Sequence, residues 1–352
     1  MYDFWNPANA DPSESVGSRH HIVPATYLRG FSNPKGQVLV FDRRGSGKPH
    51  LARVEDIGVK NFYTFTNVDG KPDGRFEQLL SKIESKATRF IRRATSPILS
   101  ASPLTMDERE SLCLFIAFQV ARSVRMRREI EITGDLGQRL QLLGLSGSTE
   151  YQHPDSGEIF DLGEISFVPD PNEHISMVGK LAERMFECLI DRPVSYFDLQ
   201  GSTLLTCDEP VLRERNEEDD GQPHRPHGAE PSSDYVHLRS TSRGVADTEE
   251  IVLPLSRRWV VALGPRGGHQ PRSPLLHVDP EQSRQIASEI NDAIVDRAYL
   301  AVFAHPDDTH LLPAKLPSDS RNAFHICGVP EHYVRNIERL SAYRHVRVYG
   351  RD

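Results

Sequence analysis

Apolar residues recur at helical spacing over Phe76, Leu79, Leu80, Ile83, Ala87, Phe90 and Ile91. That i, i+3, i+4, i+7 rhythm predicts an amphipathic helix. Thr105 and Glu108 have the spacing of a capping box, so a second helix opens there. From Leu112 to Phe118 the chain is apolar on every side, which sends this helix through the core. Arg122, Arg125, Arg127 and Arg128 follow, where positive charge suits the dipole at the end of the same helix. Further helices are expected from Asp170-Pro171-Asn172-Glu173, with Ile175, Val178, Leu181, Met185 and Leu189 on one face. Others are expected from Asp279-Pro280, carrying Ile286, Ile290 and Ile294, and over Pro330 to Ala342.

Shorter apolar runs bounded by turn residues read as strands. These are Gln37–Asp42 after the turn Asn33-Pro34-Lys35-Gly36, Phe62–Phe65 with a turn at Asp69-Gly70, Ile251–Leu255, Trp259–Leu263, Tyr299–Ala304 and Val346–Tyr349. Val194–Leu199 and Thr203–Thr206 look like a pair joined at Gln200-Gly201. Strands in antiparallel-looking pairs between long helices predict an α+β fold, a mixed, mainly antiparallel sheet packed with several long helices. Residues 1–18 read as a flexible arm and 19–352 as a single domain. Within it, 134–170 read as irregular, and 213–249, rich in Glu, Asp, Gly, Pro and Ser, as a disordered loop.

Composition narrows the function. A net charge of -8 argues against general nucleic-acid binding, which draws on many cationic contacts. Arginine outnumbers lysine 34 to eight, a bias most simply traced to a GC-rich coding sequence. Cys113, Cys188, Cys207 and Cys327 are far apart and never in C-x-x-C spacing; Cys113 and Cys188 lie within apolar helical patterns, as suits buried thiols in a reducing compartment. The polar opening, Met1 to Ser18, does not read as a signal peptide, so none is expected there, and no apolar run approaches membrane length. A cytoplasmic location without membrane contact is expected.

The stretch from His21 through Pro24 to Tyr27-Leu28-Arg29-Gly30-Phe31 reads His-x-x-Pro-x-x-Tyr-Leu-Arg-x-Phe. Proline suits the first helical turn, which sets His21 at or just outside a helix N-terminus. Asn61-Phe62-Tyr63 and Thr206-Cys207-Asp208-Glu209-Pro210-Val211 lie downstream. Together these stretches resemble DUF4238, a bacterial family named only as a domain of unknown function. The likeness runs from about His21 to Ala304, with Cys207 standing where a small hydroxyl residue is expected. It implies candidate residues but no reaction.

Each candidate has a chemical and a plain structural reading. His21 is a base or metal ligand, or a histidine that caps backbone groups while its ring packs on Tyr27. Arg29, two turns on, is an anion clamp, or an ion-pair partner of Asp42 that fixes the helix to the sheet. Glu77 and Glu84 stand two turns apart; they read as solvated residues at the border of the apolar stripe unless a third group such as Asp208 or His21 completes a divalent-ion site. Gln119 and Arg122 continue a core-facing stripe, and a buried guanidinium needs an anionic partner, with Glu84, Asp42 and Asp208 the natural ones. Asp208, at a strand end, is a catalytic or metal-binding acid, or a turn residue bonded to its own backbone. Asn291 is a substrate contact or a satisfied core amide. His224-x-x-His227 falls in the loop expected to be disordered. The segment from Arg43 to Lys48 lacks the phosphate-loop pattern.

Two function classes follow. In one, His21, Asp208 and Glu84 do acid–base chemistry or hold a divalent metal, and Arg29, Arg122, Gln119 and Asn291 bind a small anionic substrate, giving a hydrolase-like enzyme. In the other, the same residues form a structural polar network in a non-catalytic ligand- or partner-binding module. A nuclease or defence role is a third reading, which the acidic net charge opposes.

Overall fold

The computed structural model describes residues 19–21, 23–43, 47–57, 59–60, 65–66, 72–96, 102–146, 148–167, 170–213, 237–240, 244–317, 324–329 and 346–350. The expected helix over Pro330–Ala342, the Asp69-Gly70 turn, the arm 1–18 and His224/His227 lie outside them. The chain separates into two compact units. The first comprises Met1–Val124, Pro171–Glu214 and Val245–Pro317; the second comprises Arg125–Asp170, Arg215–Gly244 and Ser318–Asp352.

The first unit is α+β. Its helices are α1 (Ala25–Leu28), α2 (Arg75–Ala94) and α3 (Met106–Ala121), with two more further along the chain. Helix α2 buries Phe76, Leu80, Ile83, Ala87, Phe90 and Ala94, the stripe its periodicity predicts. Thr105 and Glu108 close a reciprocal capping box at the start of α3. Every residue from Ser111 to Ala121 is buried, so α3 is the central helix. The helix ends at Ala121, with Arg122 as its C-cap donating its backbone N–H to the Phe118 carbonyl. Helix α4 (Val124–Ser146) then starts. Arg125, Arg127 and Arg128 therefore sit at the start of α4 rather than in the last turn of α3. The dipole disfavours cations there, and Glu131 offsets this by pairing with Arg127 at 3.1 Å and Arg128 at 2.8 Å.

Helix α5 (Pro171–Leu189) runs against α3, and Arg109 near the start of α3 donates to the carbonyls of Ile190 and Arg192 just past its end. The two are thus antiparallel. Helix α6 (Pro280–Arg297) opens on a second capping box, between Asp279 and Gln282.

Two sheets complete the unit. One has the order Thr206–Cys207, Ala301–Ala304, Gln37–Asp42, His50–Arg53, all antiparallel. The other has the order Leu212–Arg213, Ile251–Pro254, Trp259–Leu263, Val194–Asp198, Leu275–Leu276, with only the last pair parallel. All five residues of Trp259–Leu263 are buried, as befits a strand covered on both faces. Val194–Asp198 and Thr206–Cys207 belong to different sheets, so the pairing expected from Gln200-Gly201 does not form. Gly201 does make a turn, with φ +77°, but non-local partners of each strand outcompete the local one.

In the second unit, α4 continues to Ser146 and is followed by the hairpin Glu150–Gln152/Ile159–Asp161. This replaces much of the irregular stretch expected over 134–170. Gly134, Gly137 and Gly144 weaken the helical signal. A buried i, i+4 pair holds the helix nonetheless: Arg139 Nε donates to Asp135 at 2.9 Å, while Asp135 also accepts from the Phe167 N–H at 2.7 Å. The three-stranded sheet of this unit is His237–Ser240, Phe324–Val329, Val346–Gly350. His237–Ser240 and residues 244–249 fall in the region read as a disordered loop, and both are ordered; Val245 and Thr248 are buried. The remainder of that loop, 214–236 and 241–243, lies outside the described residues. No helix among the described residues is long and apolar enough to cross a membrane.

Candidate functional site

The His-x-x-Pro-x-x-Tyr-Leu-Arg-x-Phe stretch packs as a wedge. Pro24 caps the four-residue α1, accepting from the N–H groups of Tyr27 and Leu28. Leu28 and Phe31 are fully buried. The Tyr27 ring lies 5.5 Å from Phe31 and 5.9 Å from Phe115 of α3. Its hydroxyl donates to the Pro254 carbonyl at 2.6 Å and stands 2.9 Å from Thr206 Oγ1. A phenol has one proton to give, so the Thr206 hydroxyl donates to Tyr27. One side chain thus ties α1 to a strand of each sheet, and burial pushes its pKa upward. Beside it, Gly30 offers its carbonyl to Arg257 N–H at 3.0 Å. A Cβ at Gly30 would come within 2.6 Å of the Leu255 carbonyl oxygen, so the approach admits no side chain.

His21 and Arg29 flank this wedge. Both reach the turn Val54–Asp56 and the residue after it. His21 Nδ1 lies 2.6 Å from the Ile57 carbonyl, which can only accept. Nδ1 therefore carries the proton, and a neutral ring keeps its lone pair on Nε2. Arg29 pairs with Glu55 at 2.8 Å on the surface, each side chain more than half exposed. The partner expected from the sequence was Asp42. That residue lies at the far end of its strand, whereas the Val54 turn follows the adjacent strand and meets α1 directly.

Glu84, Gln119 and Arg122 come together. Arg122 caps α3 with 2% exposure. Its Nη1 donates to Glu84 at 2.7 Å and its Nη2 to Gln119 Oε1 at 2.8 Å. The guanidinium thus bridges α2 and α3, and of the three acids considered as partners Glu84 is the one placed on it.

Asp208 is 3% exposed. Its carboxylate accepts from the N–H groups of Tyr299, at 3.0 Å, Leu300, at 3.0 Å, and Ala301, at 3.1 Å. The backbone it caps is therefore the turn between α6 and Ala301–Ala304, not its own. Arg43 holds the same turn by its carbonyls, donating to Ala298 at 2.8 Å and Tyr299 at 2.9 Å, and also to Pro317. Asn291 of α6 accepts from Leu205 N–H at 2.8 Å and donates to the Thr203 carbonyl at 3.0 Å, which pins α6 along the segment leading to Asp208.

These contacts sort the candidates into separate groups: His21 and Arg29 at the Val54 turn, Glu84 with Gln119 and Arg122 between helices, Asp208 and Asn291 at the two ends of Thr203–Asp208. Among the described residues no group of three His, Cys, Asp or Glu side chains is arranged to hold a metal ion. A model of DUF4238, described as a protein of unknown function, matches residues 19–308. The chain belongs to DUF4238. No curated protein and no solved structure matches it.

In this DUF4238 chain the matched span also contains polar anchors that no motif announced. Arg192 is fully buried and donates to five carbonyls: Cys188 at 3.1 Å, Glu249 at 3.2 Å, Gly264 at 2.8 Å, Val245 at 2.8 Å and Thr248 at 2.8 Å. Arg257 forms a two-pronged pair with buried Asp308, both contacts 2.7 Å. Buried Glu209, next to Asp208, faces Arg297 at 3.9 Å. Pro193 after Arg192 hints at a chain turn, but the carbonyls it gathers lie up to 72 residues away, beyond any local pattern.

Proposed function

We propose that this DUF4238 protein is a non-catalytic binding module whose signature residues hold its fold. The commitment of the Asp208 carboxylate to three backbone N–H groups carries this reading. A carboxylate oxygen that accepts from three backbone N–H groups is engaged in holding the turn before Ala301–Ala304. The burial of Arg122 between Glu84 and Gln119 supports it in the same way.

Urea melts of Asp208→Ala and Arg122→Ala test it. Removing Asp208 leaves three N–H groups without their acceptor and should cost about 3 kcal/mol or more. Removing Arg122 strands Glu84 and should cost about 3–5 kcal/mol. The hydrolase-like reading expects neutral or stabilising effects, because active sites carry strain and unpaired charge. Unchanged or raised stability in both variants would sink the binding-module reading.

A further inference from the structure

The exposed face of α2 consists of six residues: Ser81, Lys82, Ser85, Lys86, Arg89 and Arg92. All four charged ones are cations, on a chain whose net charge is -8. Lys82, Lys86 and Arg89 follow i, i+4, i+7 and line up along one side of the helix, with Arg92 flanking them. The row spans about 15 Å. The dipole accounts for cations only in the last turn, which covers Arg92 but not Lys82 or Lys86, eight residues or more from Ala94. The acids of α2 lie off this face, and Glu84 is turned inward to Arg122. One carboxylate approaches the row, Asp107 at 4.0 Å from Lys86, itself well exposed. Among the described residues Lys82, Arg89 and Arg92 have no ion-pair partner. The opposite face of α2 is apolar and buried, so the helix is held in place and its four cationic positions keep their relative register.

We infer that this face of α2 docks an acidic polypeptide segment, a helix carrying carboxylates at the matching i, i+4, i+7 spacing. Such a surface rests on the binding-module reading for its purpose. The charge pattern favours a short acidic peptide over a nucleic acid. The exposed face has no aromatic side chain on which bases could stack. One helix-length row offers few phosphate contacts, and the acidic remainder of the chain repels a long polyanion.

The full chain is titrated by fluorescence anisotropy into three labelled probes. One is a helical peptide of about 20 residues with Glu at i, i+4, i+7 and i+11. The others are a peptide of identical composition with its Glu residues spread around the helix, and a single-stranded oligonucleotide. The matched peptide should bind most tightly and weaken steeply between about 50 and about 300 mM salt. Combining Lys82→Glu, Lys86→Glu, Arg89→Glu and Arg92→Glu should weaken it at least about tenfold. Reversing Arg266 and Arg272, exposed elsewhere, should leave it unchanged. Equal binding of both peptides, preference for the oligonucleotide, no binding, or indifference to the α2 reversal would each overturn the proposal. Because all four α2 positions are exposed, circular dichroism confirms that the variants fold, and the outcome is independent of the Asp208 and Arg122 melts.

Discussion

Single residues in this protein act mainly by reaching across the chain. Gly30 is the sharpest case: the Leu255 carbonyl and the Ser256 backbone crowd the space a Cβ would need, and its own carbonyl is committed to Arg257. Gly30→Ala should therefore destabilise by about 1–3 kcal/mol through overpacking, despite alanine's better helical propensity. Denaturant midpoints at unchanged slope would show it, and a stabilised variant would refute the tight approach. Residue types and local spacing made part of this network legible. Arg122 demanded an anion, and Glu84 was among three acids within the sequence's reach. Asp208 was recognisable as a held acid, but the groups that hold it lie 91 to 93 residues away. The sequence leaves Arg29 open between an anion clamp and a pair with Asp42, and the structure gives it Glu55, because a surface pair depends on which turn a short helix faces and spacing does not encode that.

At the level of elements, what sequence shows best is whatever is settled locally. The stripe of α2, the apolar span of α3 and both capping boxes follow from periodicity and caps a few residues apart. Thr105→Ala should cost about 1 kcal/mol, read by thermal or urea melts. A larger loss is expected from Glu108→Ala, which also contacts Arg93. Equal, negligible losses would mean that tertiary packing alone sets the start of α3. Elements decided by distant contacts were the ones misjudged. The glycine-bearing α4 persists because Asp135 and Arg139 are buried together, and Thr206–Cys207 leaves its sequence neighbour for Ala301–Ala304.

Across the whole molecule, two of the three described cysteines of the first unit report on how it opens; the third, Cys188, is only half-buried rather than buried as its helical pattern suggests. Cys113 and Cys207 are fully buried; burial pushes the Cys113 thiol up to about 12 and raises Cys207 well above its ordinary value. Thiolate is the reactive form, so both should resist an aromatic disulfide reagent at neutral pH until the unit unfolds. Labelling followed by mass spectrometry checks this, and rapid modification of either residue in native protein would show local opening. The wedge at Tyr27 has a further consequence, for the order in which the protein is made. The Tyr27 hydroxyl must wait for Pro254, 227 residues later. At 5–20 residues per second that delay on the ribosome is roughly 11–45 s. Throughout it Tyr27 and Gly30 are without their partners at Pro254 and Leu255, so the signature that anchors the finished molecule is, during synthesis, an apolar segment for chaperones to shield.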